Sequence, residues 1–345
     1  VLGTGGGGDP DEGLKLLRDV LEAGKTLDII GLDELPEGII VAPYCIGTMA
    51  PTAKTKKPIR ITNPMAVAFE RMEKVLGKKI RAVVADEMGG FNTPVALAIG
   101  AKVGIPIVDG DLLGRAAPEL YQGTPNIFDV PMYPAVLVTE TGNVVVIERY
   151  ADVDDYEAIS RYVSTLAGSF AAAVDTPLTK EVADKVIIKG TITKSIEIGR
   201  VIREAEASGE NPVDAVVRAL DGWKIFEGVV ERYTWRDEAG FLIGEVTVRG
   251  REEWSGHRLK SWIKNEHIMA WKDKKPIVMP PDIIAFLSDS GRAITNADLK
   301  EGMKVHVAAA KAPEIWRTAK GLELFGPRHF GFNIDYIPVE ELVSR

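Results

Sequence analysis

The residues best suited to proton chemistry are two short acidic turns, Asp86-Glu87 in ADEMGGFN and Asp109 with Asp111 in VDGDLLGR. Carboxylates clustered in a site divide into general acid and general base when burial raises the pKa of one of them. Their hard oxygens could equally hold a divalent cation. Glu87, Asp109 and Asp111 are therefore the catalytic candidates, with Asn92 and Arg115 as neutral and cationic partners on the same edge. An aspartate in such a turn can also merely cap the following helix. The repetition, DE-x-GG-x-N and then DGD-x-x-GR, favours a site.

The flanking segments explain how these groups would be positioned. Residues 81–85 are a short β-branched run, Gly89-Gly90 lets the chain turn, and Thr93-Pro94 can open a helix. Residues 95–103 are apolar at helical spacing and Gly104 stops them. Residues 105–108 read as the next strand, 109–111 as a second acidic turn and 112–120 as a second helix. Two strands then deliver carboxylates at their C-terminal ends, where ligands bind in open α/β sheets.

Upstream, residues 3–10 (GTGGGGDP) lead into a helix capped by Asp9 with Pro10 at its first position. Gly5, Gly6 and Gly7 allow close backbone approach and are candidates for cradling a substrate or another strand. A phosphate loop is disfavoured: there is no G-x-G-x-x-G spacing after a full strand and no Walker lysine, and Asp9, Asp11 and Glu12 oppose an anion. Residues 27–35 and 39–44 read as strands. Cys45 ends the second as a core residue, with no histidine near it in sequence to act as a base. Helices are expected at 64–76, 154–174, 191–208 and 212–220, and a hairpin at 130–138 with 144–149. After Gly222 the pattern becomes short alternating runs at 228–233, 241–248, 259–263, 268–271, 283–287 and 303–310.

The expected organisation is an α/β N-terminal domain with a predominantly parallel or mixed sheet over 1–221, and a β-rich domain over 222–312. A closing segment, 313–345, is expected to return to the first domain. In that segment GPRHFG makes His329 a catalytic candidate and Arg328 a substrate-binding one, because irregular charged and aromatic loops often carry function. His257, His267 and His306 read as turn, strand and core residues.

Composition sets outer limits. A net charge of −8 over 345 residues argues against nucleic-acid binding. No apolar run is long enough to span a bilayer, and no signal-peptide pattern is read at the start of the sequence. With the single cysteine Cys45 and no glycosylation sequon, a cytoplasmic location is expected. One glutamine, Gln122, among abundant Glu, Lys and Arg suggests a thermophilic source. The N-terminus, lacking Met and starting at an apparent strand end, suggests a missing upstream segment.

Taken together, the sequence resembles the S-methyl-thiohydantoin desulfurase-like family, long catalogued as a domain of unknown function. The resemblance spans the chain and is carried by residues 3–10 (GTGGGGDP), 87–92 (EMGGFN), 108–120 (VDGDLLGRAAPEL), 190–200 (GTITKSIEIGR), Asn265-Glu266, Pro281-Asp282 and 326–331 (GPRHFG). At His267 and His329 the chain departs from the family pattern, in which these histidines are less usual. The resemblance implies an N-terminal α/β domain, a β-rich C-terminal domain, and hydrolysis at a hydantoin-like five-membered ring. In the named activity, water replaces a methylthio group, leaving hydantoin and methanethiol. Family genes are often associated with hydantoinase/oxoprolinase genes. A second expectation is therefore an accessory subunit of such a partner, docking through Trp235, Trp254, Trp262 and Trp271. A homo-oligomer, a small cyclic substrate and optionally a divalent metal ion complete the expectations.

Overall fold

A computed structural model describes residues 4–48, 57–168 and 170–344. The chain forms two compact units, Gly7–Ile192 and Thr193–Arg345, the second joined by residues 4–6.

The first unit runs α1 (Pro10–Glu22), β1 (Ile29–Ile30), β2 (Ile39–Gly47), α2 (Pro64–Leu76), β3 (Ile80–Ala85), α3 (Asn92–Val103), β4 (Ile107–Asp111), β5 (Ala135–Val138), β6 (Val144–Ile147), α4 (Val153–Ala167), β7 (Phe170–Leu178), α5 (Lys180–Val186) and β8 (Ile188–Lys189), and α6 (Thr191–Ser208) begins at its end. Local chemistry sets several of these limits. Asp9 accepts from the Asp11 amide with Pro10 at the first position of α1, and Asn63 accepts from Ala66 at the start of α2. Gly77 and Gly104 take the left-handed conformation that ends α2 and α3.

The sheet has the order β1-β4-β3-β2-β7-β5-β6, with β8 on β4. Its β1, β4, β3 and β2 are parallel neighbours, and β7, β5 and β6 continue antiparallel. This is the mixed sheet expected for the α/β domain. Helices α2 and α3 pack against it, and α4 packs against β7 and β2.

Two segments differ from expectation. Residues 109–111 belong to β4, and 112–120 form no α-helix, because the Asp111 side chain captures the Leu113 and Gly114 amides in a tight turn. The helix expected over 154–174 stops at Gly168, whose positive φ caps α4. The alanine-rich run beyond it is β7, buried between β2 and β5. Intrinsic alanine helicity is a weak preference that tertiary packing overrides.

The second unit continues with α7 (Pro212–Ala219), β9 (Trp223–Glu238), β10 (Phe241–Gly250), β11 (Arg258–Lys264), β12 (Glu266–Lys272), β13 (Lys275–Val278), β14 (Ile283–Leu287), β15 (Lys304–Ala310), α8 (Ala319–Phe325) and α9 (Val339–Leu342). Its sheet, β13-β12-β11-β10-β9-β15-β14, is antiparallel throughout, as expected for a β-rich domain.

Two boundaries require correction. Ile198, Ile202, Val213 and Val216 pack on Ala285, Leu287 and Ala308, so α6 beyond Ile192 and all of α7 go with the β-rich unit. The closing segment does not return to the first unit: Phe332, Ile334, Tyr336 and Leu342 pack on Met269, Trp271 and Met279. Asp282, fully buried, ties that segment down by accepting from Arg317, the Ala312 and Val339 amides and the Tyr336 hydroxyl.

Candidate functional site

The acidic edge forms because β4 and β3 end together, with β2 running parallel beside β3 and on past its end and β7 lying antiparallel beside β2. Asp111 closes β4 opposite Ala85, and Asp86 follows Ala85 at the end of β3. Val41 of β2 pairs with Val83 of β3, and three residues further along each chain stand Tyr44 and Asp86. Asp175 of β7 pairs with Ala42. Four adjacent strands thus contribute Asp111, Asp86, Tyr44 and Asp175, and α4 adds Tyr156, Glu157 and Arg161.

Asp175 is buried, and among the described residues its carboxylate receives hydroxyl protons only. Tyr44 donates to its Oδ2 at 2.9 Å and Tyr156 at 2.6 Å, while Thr176 donates to Oδ1 at 2.9 Å. The two tyrosine oxygens lie 3.3 Å apart. Burial raises the Asp175 carboxyl against the pull of these hydrogen bonds, and burial together with the Asp175 charge raises both tyrosines. Asp86 is half-buried. Burial first, then the charges of Asp175, Glu87, Asp111 and Glu157, hold its carboxyl well above the ordinary carboxylate range.

Asp111 is fully buried, with Oδ2 accepting from the Leu113 amide at 3.1 Å and the Gly114 amide at 2.6 Å. Its Oδ1 makes no hydrogen bond among the described residues. Burial pushes this carboxyl up to about 7, against the pull of the Gly114 amide, the nearby Thr191 hydroxyl and the Leu113 amide, and with the Glu87 charge adding to the rise.

Glu87 is a tie between segments. Its Oε1 accepts from Asn92 at 2.6 Å and its Oε2 from the Ala117 amide. Burial raises it, while those bonds and the charges of Arg161 and Arg115 oppose the rise. Asn92 is fully engaged: its Oδ1 accepts from the Cys45 amide, and its amino group donates to the Cys45 carbonyl and to Glu87. It fixes the end of β2 and presents no further donor to a ligand. Arg115 is buried beside Glu87, and its carbonyl accepts from Met88. Cys45 is half-buried, and burial pushes its thiol up to about 12, far from a thiolate nucleophile.

The remaining expected residues lie elsewhere. Asp109 borders a cleft of about 610 Å³ with Asp33, Lys180, Asp184 and Lys189, and none of Asp86, Glu87, Asp111 or Asp175 lines it. Arg328 and His329 belong to the second unit. There Arg328 is exposed and pairs with Asp335, and His329 meets the edge of Phe330.

The glycines of the N-terminal loop admit protein. A Cβ on Gly6 would stand 1.6 Å from Glu266 Oε1, and one on Gly7 2.4 Å from the Gly89 Cα. Gly5 accepts from Asn296 through its carbonyl. Of the tryptophans expected to dock a partner, Trp262 and Trp271 pack on Phe332 and Trp254 on Phe226, leaving Trp235 exposed.

Among the described residues, no three His, Cys, Asp or Glu side chains are grouped to hold a metal ion. No described helix is long and apolar enough to cross a membrane.

Tyr44, Tyr156, Asp175, Glu157 and Arg161 escape the sequence reading. Asp175 directly follows a run read as helix and was assigned to no strand, and Tyr44 and Tyr156 lie far apart in sequence. The break at Gly168 before a β-flanked aspartate is the signal that could have exposed Asp175.

Comparison with known proteins places this arrangement. No curated protein matches the chain. An X-ray structure of a Chromobacterium violaceum protein, a structural genomics target, shares the fold with a TM-score of 0.75 and 21% identity, covering 98% of this chain and 95% of that one. The model of the S-Me-THD-like N-terminal domain matches residues 1–149 and that of the S-Me-THD-like C-terminal domain residues 151–339. The chain belongs to the S-Me-THD-like family.

Proposed function

We propose that the chain is a hydrolase of a hydantoin-like five-membered ring, with water replacing an S-alkyl group at a thioimidate carbon, and that Asp111 is its general base. The observation that carries this reading is the Asp111 carboxyl itself. One of its oxygens is fixed by two backbone amides, and the other is buried without a hydrogen bond of normal geometry among the described residues, with the Thr191 hydroxyl near the carboxyl. Buried carboxylate oxygens are normally satisfied by protein or by ordered water. An oriented oxygen of a group raised to about 7 is therefore suited to take a proton from water near neutral pH. The family membership supports the substrate class.

The test uses the purified chain against S-alkyl thiohydantoins and unsubstituted cyclic amides. Turnover of at least one thiohydantoin is expected, and Asp111→Asn should lower it by roughly 10²–10⁴-fold, the range for loss of a general base. Near-parental turnover in a folded Asp111→Asn protein would place the base elsewhere.

A further inference from the structure

A base accounts for only half of the proton traffic in such a hydrolysis, because a departing alkylthiolate also needs a proton. Asp86 has the geometry for that second task. It is the half-buried member of the carboxylate row, at the end of β3, one strand from Asp111 and one strand from Tyr44. Beyond Tyr44, Asp175 is locked as an acceptor by three hydroxyl donors, Tyr44, Tyr156 and Thr176. No ion pair reaches Asp175 among the described residues. Its negative charge therefore acts on its neighbours instead of being cancelled. The other charges that raise Asp86 most, those of Glu87, Asp111 and Glu157, are also acidic. The charges of Arg161 and Arg115 oppose the rise at Glu87, and Arg161 pairs with Glu157.

Resting on the ring-hydrolase reading above, we propose that Asp86 is the catalytic acid that protonates the departing sulfur. Asp175, acting with Tyr44 and Tyr156, is the positioning residue that keeps the proton on Asp86. The proton balance closes in two steps. Water oxygen bonds to the thioimidate carbon, the C=N π pair moves to nitrogen, and the proton taken from water by Asp111 passes to that nitrogen. The new hydroxyl then gives its proton to Asp111 as C=O forms and the C–S bond breaks, and sulfur leaves with the proton of Asp86. Transfer of the Asp111 proton to Asp86 restores the starting state. Water is consumed, and the thiol and ring carbonyl are formed without an oxidant or reductant. Burial and the surrounding acidic groups raise Asp86, in agreement with this role.

The experiment compares an S-methyl with an S-(4-nitrophenyl) thiohydantoin, whose arylthiolate leaves without an acid. Asp86→Asn should lower S-methyl turnover by roughly 10²–10⁴-fold and S-nitrophenyl turnover by less than about tenfold, as expected when acid catalysis alone is lost. Asp175→Asn and, as a milder second variant, Tyr156→Phe should move the alkaline limb of the S-methyl pH profile to lower pH, since a weakened neighbouring anion lets Asp86 ionise sooner. A substrate-free readout accompanies these: above the titration of Asp111, the infrared difference spectrum of parent minus Asp86→Asn should show a protonated-carboxyl band. Equal losses on both substrates in Asp86→Asn, an unmoved alkaline limb, or absence of the band overturns the acid assignment while parental turnover keeps the hydrolase reading. Absence of parental turnover on both substrates overturns the hydrolase reading and the acid role with it.

Discussion

Asp282 and Asp175 are both buried aspartates that accept a tyrosine hydroxyl proton, one in each unit, yet they are surrounded differently. Asp282 meets the Arg317 guanidinium through two N–H groups, and Arg317 is shared with Glu340. Two backbone amides and Tyr336 also donate to it. Among the described residues Asp175 has three hydroxyls and no paired cation, and Asp111 has two backbone amides and no paired cation. A buried charge that serves only the fold is paired, because an unpaired one is strongly penalised. Carboxylates held in a fold without that pairing are concentrated where chemistry requires a movable proton.

The largest expected effect tests this contrast on stability. Asp282→Asn leaves Arg317 without its buried partner, and breaking such a pair destabilises by about 3–5 kcal/mol. Asp111→Asn removes a repelled charge, retains the shape, and should leave stability unchanged or raised, since functional sites commonly give up stability. Chemical denaturation of both variants measures the difference. Similar losses in the two would remove the distinction between a structural and a chemical aspartate.

The pH dependence sharpens the contrast by a smaller amount. Asp111 is pushed from an ordinary 3.8 up to about 7 in the fold. Between these values the folded state retains a proton that the unfolded state has released. Its contribution to stability is therefore fully present below about pH 4 and lost as pH rises through about 7, by at most roughly 4 kcal/mol. Asp86 and Asp175, both raised, act in the same sense. Turnover should move oppositely, rising across this window as Asp111 ionises. Denaturation midpoints from pH 4 to 8 should show a falling slope that is shallower in Asp111→Asn. An identical slope in parent and variant would mean that Asp111 is not raised.

Legibility in the sequence followed the range of the interactions involved. Local chemistry was readable: Pro10, Asn63, Gly77, Gly104 and Gly209 mark helix limits through capping and φ. Glu87 and Asp111 were readable as an edge because each follows a short apolar strand. The roles within the edge were not, because they depend on partners from distant segments. Glu87 is bound by Ala117, Tyr44 and Tyr156 meet only at Asp175, and Asp109, two residues from Asp111, borders a separate cleft. The glycine loop illustrates the same limit. Its need for close approach was evident, but only the fold shows that Gly7 meets Gly89.

The smallest expected effect concerns Cys45, which stands at the same edge yet has neither the charge nor the position of the aspartates. Its main chain, not its thiol, carries the connection: the Cys45 amide and carbonyl are both held by Asn92, which in turn holds Glu87. With the thiol pushed up to about 12, a thiolate is scarce at neutral pH. Cys45→Ala keeps both backbone bonds and removes only a half-buried sulfur, so turnover should stay within a few-fold of the parent and stability within about 1 kcal/mol, as for ordinary small substitutions. Asn92→Ala at the other end of those bonds orphans the Cys45 amide and carbonyl and a Glu87 oxygen together, and should destabilise by more, about 1–3 kcal/mol for each buried group left unsatisfied. Steady-state turnover and denaturation midpoints for the pair provide the check. Loss of activity in a folded Cys45→Ala protein would shift the chemistry from carboxylates to a nucleophilic thiol.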